Sequence, residues 1–488
     1  MSLPSFLRSP PFPQADARVA GPGRTALPDD ALALLREARV GGAFWEPHDP
    51  WTELENEGQL TASGADERVG IAAILGLPVT VTAPGPYGQP EDDLPALRQR
   101  LLAVLASTAC RDPFTGEVAS FETTVELLSQ WRREIAANRR IVAALGMAWW
   151  KRQEIRRFLW VPERRLQIYR NPGRAVRGAG KAGGSLAVWP SRVSPQLIDR
   201  ARASGVGLVR VEDGFVRSVG LGSNLVPPCS VVVDSRGIHF DPAGPSDLEH
   251  ILATTDFPPV LTARAARLRE TIVRHGISKY SAAADDAALR RDTARRVVLV
   301  SAQVEDDKSV LAGGGGLTSN LELLRRVRAL EPDAEIWFRP HPDVEAGHRK
   351  GAVPAGEALK YADRIVAEGG MAALLDQVDA VHVLTSLTGF EALLRGREVT
   401  CHGTPFYAGW GLTRDLGEVP DRRGRKLALD ELVAGVLILY PRYLDPATGL
   451  PCPPEVLVGR MAKAQAANRL GWLAPLRRLQ GRLMAFSR

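Results

Sequence analysis

Three adjacent carboxylates, Glu305-Asp306-Asp307, follow the apolar run Val297-Val298-Leu299-Val300 and precede four consecutive glycines, Gly313 to Gly316. A carboxylate so placed can serve as nucleophile or base at the anomeric carbon of a sugar. A solvated acidic turn is the plain alternative. Further on comes Arg339-Pro340-His341-Pro342-Asp343. The two prolines restrict the backbone around His341, and a guanidinium beside an imidazole can grip a phosphate oxygen. A protonated histidine can also neutralise a departing phosphate. The stretch Thr385-Ser386-Leu387-Thr388-Gly389-Phe390-Glu391 offers hydroxyls at what reads as a helix start. Free N–H groups there bind phosphate without cationic side chains, and the same hydroxyls can simply cap the helix. Glu212-Asp213-Gly214 adds a fourth group: a carboxylate pair able to orient or deprotonate an acceptor hydroxyl, or to pair with Arg217.

All four groups fall where strands end. Val297–Val300 has the β-branched character of a buried parallel strand. Thr318-Ser319-Asn320 caps a helix carrying Leu321, Leu323, Leu324 and Val327, and Ala334–Phe338 is the next strand, delivering Arg339. Ala380–Leu384 delivers the hydroxyl motif, and Val399–His402 follows it. Upstream, Leu186–Trp189, a helix over Pro195–Ala203 and Gly207–Val211 lead to Glu212. Ser230–Asp234 and Ile238–Asp241 read as a hairpin around Ser235-Arg236-Gly237. Open α/β sheets bind ligands beyond the carboxyl ends of their strands. The predicted fold is therefore α/β and GT-B-like. Two Rossmann-type units face a cleft, with an N-terminal α-rich segment and C-terminal helices added.

The chain has 488 residues, too many for one core, so several domains are expected. A formal charge of +6 suits anionic ligands or an anionic membrane face. No basic and aromatic nucleic-acid motif accompanies that charge, so nucleic acid is not expected as a partner. Cys110, Cys229, Cys401 and Cys452 are scattered without metal-ligand spacing and read as reduced thiols of a cytoplasmic protein. Neither a metal nor a cofactor is expected. The glycines of Gly178-Ala179-Gly180-Lys181-Ala182 lack P-loop spacing, and Ala182 stands where Ser or Thr is needed.

Along the chain, residues 1–30 are rich in Pro, Gly and Ala and are expected to be disordered. Residues 31–135 echo the C-terminal third in order. Ala72-Ala73-Ile74-Leu75-Gly76-Leu77-Pro78-Val79-Thr80 resembles Ala392-Leu393-Leu394-Arg395-Gly396-Arg397-Glu398-Val399-Thr400, and Arg111-Asp112-Pro113-Phe114-Thr115-Gly116-Glu117 echoes Leu444-Asp445-Pro446-Ala447-Thr448-Gly449. With Ile71 in place of Glu391 and nothing for Trp410, this region reads as a degenerate remnant of a duplicated module. Residues 136–292 form the expected acceptor-side unit and 293–455 the donor-side unit. Phe121–Arg140 has helical periodicity. Ile141–Trp160 mixes Trp149, Trp150, Phe158 and Trp160 with Lys151, Arg152, Arg156 and Arg157, which suits a membrane-surface helix or a cationic helix packed on its own domain. Residues 456–488 read as a basic amphipathic helix that rests on an anionic membrane or docks across the fold.

Six ordered motifs together resemble the capsule polysaccharide β-Kdo transferases of the KpsC type. They are the Glu212–Gly222 stretch, Ser278-Lys279-Tyr280, Gln303–Asp307, Arg339–Asp343, Thr385–Leu393 and Pro405–Thr413. The similarity spans roughly residues 140–455 and is to the second transferase module of such proteins. It implies transfer of Kdo from CMP-Kdo, with retention, to a lipid-linked Kdo acceptor in capsular polysaccharide biosynthesis and export. Asp307 matches the nucleophilic aspartate, His341 the His-Pro motif, and Thr385 and Ser386 the Ser/Thr motif for the CMP phosphate. Gln303, Asn320 and Lys279 match polar cleft positions. Pro190 and Arg339 depart from a usual Gly and Lys. The implied partners are the CMP-sugar, a glycolipid acceptor, the inner-membrane surface and the capsule export machinery. Other readings are a different nucleotide-sugar transferase or epimerase of GT-B fold, and a non-catalytic capsule-assembly protein.

Overall fold

The computed structural model describes residues 6–13, 17–217, 226–278, 291, 293–345, 347 and 349–463. The N-terminal region has its own core, in which Phe6, Trp51, Leu101 and Trp131 are fully buried. Four short strands edge it: β1 (Ala20–Pro22), β2 (Leu60–Ala62), β3 (Val79–Val81) and β4 (Thr108–Cys110). β1 pairs antiparallel with β4, and β2 pairs parallel with β3. The expectation of disorder over residues 1–30 is corrected for the described part. Phe6 packs on Tyr87, Phe12 on Trp131, and Val19 is buried, because aromatic anchors among the prolines seal an otherwise open core.

The two echoing sequences share their turns. Helices Glu67–Leu75 and Leu387–Leu394 both run into a left-handed glycine, Gly76 at φ 80° and Gly396 at φ 69°. Leu77 N then returns to Ala72 O, and Arg397 N to Ala392 O, each at 3.0 Å. In the Asp-Pro turns, Gly116 N meets Asp112 O at 2.8 Å, and Gly449 N meets Asp445 O at 2.7 Å. Each turn closes with the aspartate N–H on the carbonyl five residues ahead, Glu117 or Leu450, at 2.9 Å.

The first large unit is built on β5 (Ile141–Leu145), β6 (Gln167–Tyr169), β7 (Ser185–Val188), β8 (Leu208–Asp213) and β9 (Ser230–Asp234). The second is built on β10 (Val297–Ser301), β11 (Glu335–Arg339), β12 (Arg364–Ile365), β13 (Ala380–Val383), β14 (Glu398–Cys401) and β15 (Arg414–Asp415), all parallel. The chain then returns to the first sheet as β16 (Pro441–Leu444) and β17 (Pro451–Cys452), giving the order β17-β16-β9-β8-β7-β5-β6. A donor-side unit of 293–455 is therefore too long at its end, since β16 pairs with β9 across the seam.

Two local readings also change. Ile141–Leu145 is a strand inside the sheet rather than part of a basic helix, because its five apolar residues are flanked on both sides by β6 and β7. The segment after β9 is not a hairpin partner. The buried Asp234 carboxylate accepts from Arg236 N, Gly237 N and Asp247 N, which turns the chain away, and β8 and β16 occupy both edges of β9.

The second sheet has the order β12-β11-β10-β13-β14-β15, so its winding reverses between β10 and β13. The first reverses between β5 and β7. In doubly wound sheets such reversals open the crevice that receives a ligand. The units meet through a continuous apolar seam, where Phe215, just past β8, lies 6.4 Å from Phe390 and 4.6 Å from Phe406. Helix 259–274 belongs to the same core.

Candidate active site

At the reversal in the second sheet, one side chain bridges the two strand ends. The Gln303 amide receives Thr385 N at 2.8 Å on Oε1 and donates from Nε2 to Thr385 Oγ1 at 3.0 Å. Asn320, at the start of helix Asn320–Leu330, holds Gln303 in turn. Its Oδ1 accepts Gln303 N, and its Nδ2 donates to Gln303 O and Gly351 O. Glu305 accepts Asn320 N at 2.9 Å. These three residues are a scaffold that fixes the loops; Gln303 and Asn320 are almost fully buried.

Asp307 is half-exposed, as Asp306 is, and its position is fixed by the helix it starts. It caps helix Lys308–Gly313, its Oδ1 accepting Ser309 N at 3.0 Å and Ser309 Oγ at 2.8 Å. Ser309 Oγ lies 3.5 Å from Thr385 Oγ1, so the acidic loop and the hydroxyl loop join through one serine. The other carboxylate oxygen of Asp307 is 4.0 Å from Arg349, which holds Asp306 at 3.1 Å. With 46% of its side chain exposed, Asp307 is reachable from solvent.

Ser386 caps helix Leu387–Leu394 by accepting Thr388 N at 3.2 Å, and it donates to Thr388 Oγ1 at 3.0 Å. Tyr407 donates its hydroxyl to Ser386 O, locking the turn. Gly389 is required beneath that phenol, since a Cβ there would lie 2.2 Å from Tyr407 Oη. Thr388 is buried against Ser301 Oγ, and Glu391 is buried on the helix face towards Phe215 and Ser278, away from the hydroxyl loop. Of this motif the Thr385–Ser386 end faces the triplet, whereas Thr388, Gly389 and Glu391 shape the helix behind it.

Arg339 does not reach into the crevice as a phosphate grip. Its guanidinium donates to the carbonyls of Val366, Glu368 and Gly369 at 2.7–2.9 Å, and burial lowers its pKa without a carboxylate in contact. Being the last residue of β11, it projects sideways onto the loop after β12. His341 lies beyond that strand end, on the same edge as the triplet, because β10 and β11 run parallel in register. Its Nδ1 accepts Asp343 N at 3.2 Å, which leaves the ring proton on Nε2.

In the first unit Asp213 is clamped between cations. Lys151 Nζ meets both its oxygens at 2.9 and 3.0 Å, and Arg217 Nε meets one at 2.9 Å. Lys151, 9% exposed, follows β5 and sits 3.6 Å from the centre of the Trp189 ring that follows β7, spanning the reversal of that sheet. Burial pulls the Lys151 pKa down while Asp213 holds it up. Asp213 is thus an anchor held between cations, and the neighbouring Glu212 accepts Asp213 N on Oε1 and adds its charge to the field that holds the Lys151 pKa up. Lys151, Ser309 and Tyr407 received no site role from the sequence, although Tyr407 falls within the Pro405–Thr413 motif. For Lys151 the signal was present: an apolar run, then Gly146, then a cation. Lys279 and Ser218–Gly222 lie outside the described residues. Among the described residues, no group of three His, Cys, Asp or Glu side chains forms a metal-ligand set.

Residues 185–443, more than half of the chain, match the family model described as capsule polysaccharide biosynthesis protein. The chain belongs to this family. The capsule polysaccharide modification protein LipA of Neisseria meningitidis serogroup A is 41% identical over 337 residues, covering 69% of this chain and 47% of LipA. The lipopolysaccharide-processing protein LpsZ of Rhizobium meliloti is 45% identical over 244 residues, covering 49% of this chain and 55% of LpsZ. The chain thus spans about half the length of the curated relatives it matches. Two solved structures are also similar, both from Thermosulfurimonas dismutans KpsC. Its β-Kdo 2,7 transferase is 36% identical with a TM-score of 0.54, covering 66% of this chain and 99% of that one. Its β-Kdo 2,4 transferase is 32% identical with a TM-score of 0.57, covering 66% and 98%. This family member of KpsC type carries Asp307, His341 and the Thr385–Ser386 turn beyond neighbouring strand ends of its second sheet, and Glu212 and Asp213 at a strand end of its first.

Proposed function

We propose that this chain is a glycosyltransferase that moves Kdo from CMP-Kdo, with retention, onto a lipid-linked Kdo acceptor during capsule biosynthesis. The observation that carries it is the Asp307–Ser309–Thr385–Gln303 chain of contacts across the sheet reversal. It sets a half-exposed carboxylate beside a helix start suited to a phosphate. Similarity to solved Kdo transferases supplies the sugar.

Retention calls for two displacements. Asp307 attacks the anomeric carbon of Kdo as the bond to the CMP phosphate breaks, leaving a glycosyl ester on Asp307. The departing phosphate carries the electron pair of that bond and meets the helix start at Ser386 and the Nε2–H of His341. Glu212 then removes the proton of an acceptor hydroxyl, whose oxygen attacks the same carbon and frees the Asp307 carboxylate. Arg217, Lys151 and Asp213 keep that wall of the crevice charged and in place, and Arg339 holds the loop after β12. No cofactor is needed. The setting proposed is the cytoplasm, with contact to the inner-membrane surface; no described helix is long and apolar enough to cross a membrane.

Incubating the full chain with CMP-Kdo and a synthetic Kdo-primed lipid, followed by mass spectrometry, tests the reading. One added Kdo residue and released CMP are expected from wild type and neither from Asp307→Ala. Transfer from a UDP-sugar instead, or undiminished transfer by Asp307→Ala, overturns it.

A further inference from the structure

Behind helix Arg152–Phe158, away from the crevice, lies a second cavity of about 600 Å³. That volume falls in the range of small-molecule sites. Four arginines line it, Arg156, Arg157, Arg164 and Arg165, and no acidic residue does. Among the described residues no carboxylate lies within ion-pair distance of Arg156, Arg164 or Arg165. The Nε atoms of Arg156 and Arg164 are buried without a hydrogen-bond partner. Such donors are costly to leave unmatched, and guanidinium forks fit oxyanions two bonds at a time. The pKa of Arg156 is lowered by burial and by the neighbouring Arg165 and Arg152, the opposite of what a paired arginine shows.

The rest of the wall is mostly apolar. Trp160 and Phe12 stand 4.8 Å apart at one side, and Leu166 and Leu450 lie at others. Only Gln153 and Thr448 offer neutral polar side chains. A glycan would need acceptors for its hydroxyls, and carboxylates usually supply them; none is present here. An amphiphile with one anionic phosphate needs what the cavity has, arginines for the head and apolar surface for the glycerol and the first methylenes.

We propose that this cavity binds the headgroup of an anionic glycerophospholipid, separately from the catalytic crevice. The site is composite: Phe12 and Pro13 come from the N-terminal region, Arg156 and Arg157 from the helix after β5, and Thr448–Pro451 from the turn before β17. Its turn is the one that repeats the Asp112–Gly116 geometry, and Gly449, at φ 74°, lets the Arg157 guanidinium lie against its backbone. The N-terminal region so acquires a use that needs no chemistry, closing a lipid site beside the transferase. The helix joins the two places: Lys151, just before it, holds Asp213, and Arg156 lies about 8 Å further along its axis. Bound lipid would keep the crevice near the membrane surface. The proposal does not depend on the Kdo reading, since it is read by binding.

The test uses the full chain and short-chain lipids below their micelle concentration, titrated by calorimetry. Dihexanoyl phosphatidylglycerol is expected to bind one to one. Dihexanoyl phosphatidylcholine, whose ammonium meets the arginines, and inorganic phosphate, which lacks the apolar part, are expected to bind at least about tenfold more weakly. The Arg165 guanidinium is exposed and makes no hydrogen bond among the described residues, so Arg165→Glu should leave the thermal melt unchanged and weaken phosphatidylglycerol binding about tenfold. Arg156→Gln, which keeps hydrogen-bonding capacity, should weaken it similarly. Equal affinity for the two lipids, or unaltered binding by Arg165→Glu in a chain that melts as wild type, overturns the proposal. So does displacement of the bound lipid by a Kdo trisaccharide, which would assign the cavity to the glycan.

Discussion

Gln303 grips Thr385 with both ends of one amide, accepting its N–H at 2.8 Å and donating to its hydroxyl at 3.0 Å. That pair closes the second sheet exactly where its winding reverses, and it orients the Thr385–Ser386 turn towards Asp307. Gln303→Leu keeps the volume but leaves the Thr385 N–H unmatched and its hydroxyl with Ser309 alone. A stability loss of about 1–3 kcal/mol is expected, visible in urea unfolding, together with a raised KM for CMP-Kdo. A KM unchanged in a folded variant would argue that the turn does not hold the donor.

Asp307 has two duties that different substitutions separate. Asparagine can still accept Ser309 N and cap the helix, whereas alanine cannot. Asp307→Asn should melt near wild type and Asp307→Ala about 1 kcal/mol lower, while both lose Kdo transfer by on the order of a thousandfold or more. Residual transfer by Asp307→Asn within tenfold of wild type would remove the aspartate from the chemistry.

On the opposite wall the two neighbouring carboxylates should part company. Removing Asp213 leaves Lys151 and Arg217, both buried, without their shared counter-charge. Asp213→Ala is expected to cost about 3–5 kcal/mol, read by thermal or urea unfolding. Glu212→Gln keeps an acceptor for Asp213 N but removes a charge that acts on Lys151, so it should cost about 1 kcal/mol and lower kcat for transfer by 100-fold or more. The reverse ranking would make Asp213 the base.

Much of this arrangement was legible because its elements obey local rules. Val297–Val300, Pro195–Ala203 and the helix capped by Ser319 follow from apolar periodicity and capping, and the strand ends then located the motifs. What stayed hidden was set by tertiary pairing. Nothing within Pro441–Leu444 says that it crosses back to β9, and Ile141–Leu145 becomes a strand inside the sheet only because β6 and β7 flank it. Arg339 was misjudged for the same reason: residue type suggested a phosphate, but the carbonyls of 366–369 lie nearer. Phe6 and Phe12 show the converse, a proline-rich terminus held down by aromatic rings.

Close packing at the helix start gives a sharper steric test. A methyl at position 389 would meet the Tyr407 hydroxyl, which also secures Ser386 O. Gly389→Ala should destabilise by about 1–3 kcal/mol and depress donor affinity. Adding Tyr407→Phe removes only the nearest atom, leaving ring carbons at 2.8 and 3.0 Å from the methyl, and should recover a small part of the stability but not the affinity, because the Ser386 turn loses its tie. Full recovery of both would mean the phenol has no part in shaping the donor site.

The acid limb of stability should be governed by a buried imidazole pair behind the Thr385 turn. His382 Nδ1 and His402 Nε2 lie 3.0 Å apart, a distance for one shared hydrogen between neutral rings. Burial first, and then nearby positive charge from Arg414 and Arg296 for His382, and from His382, Arg326 and Arg414 for His402, pushes both pKa values down to about 4. The Glu331 carboxylate, 3.5 Å from His382 Nε2, does not reverse this. In the unfolded chain both rings protonate near the ordinary 6.5. Between that value and about 4 the unfolded state holds more protons, so stability rises with pH and is lost as pH falls through the window. The loss is on the order of 3 kcal/mol per histidine. Urea unfolding at pH 7 and pH 5 should show it, and His402→Gln, which keeps a hydrogen-bonding partner for His382, should flatten the slope by removing one titration. If the wild type and His402→Gln lose stability equally over this range, the acid sensitivity arises elsewhere in the molecule.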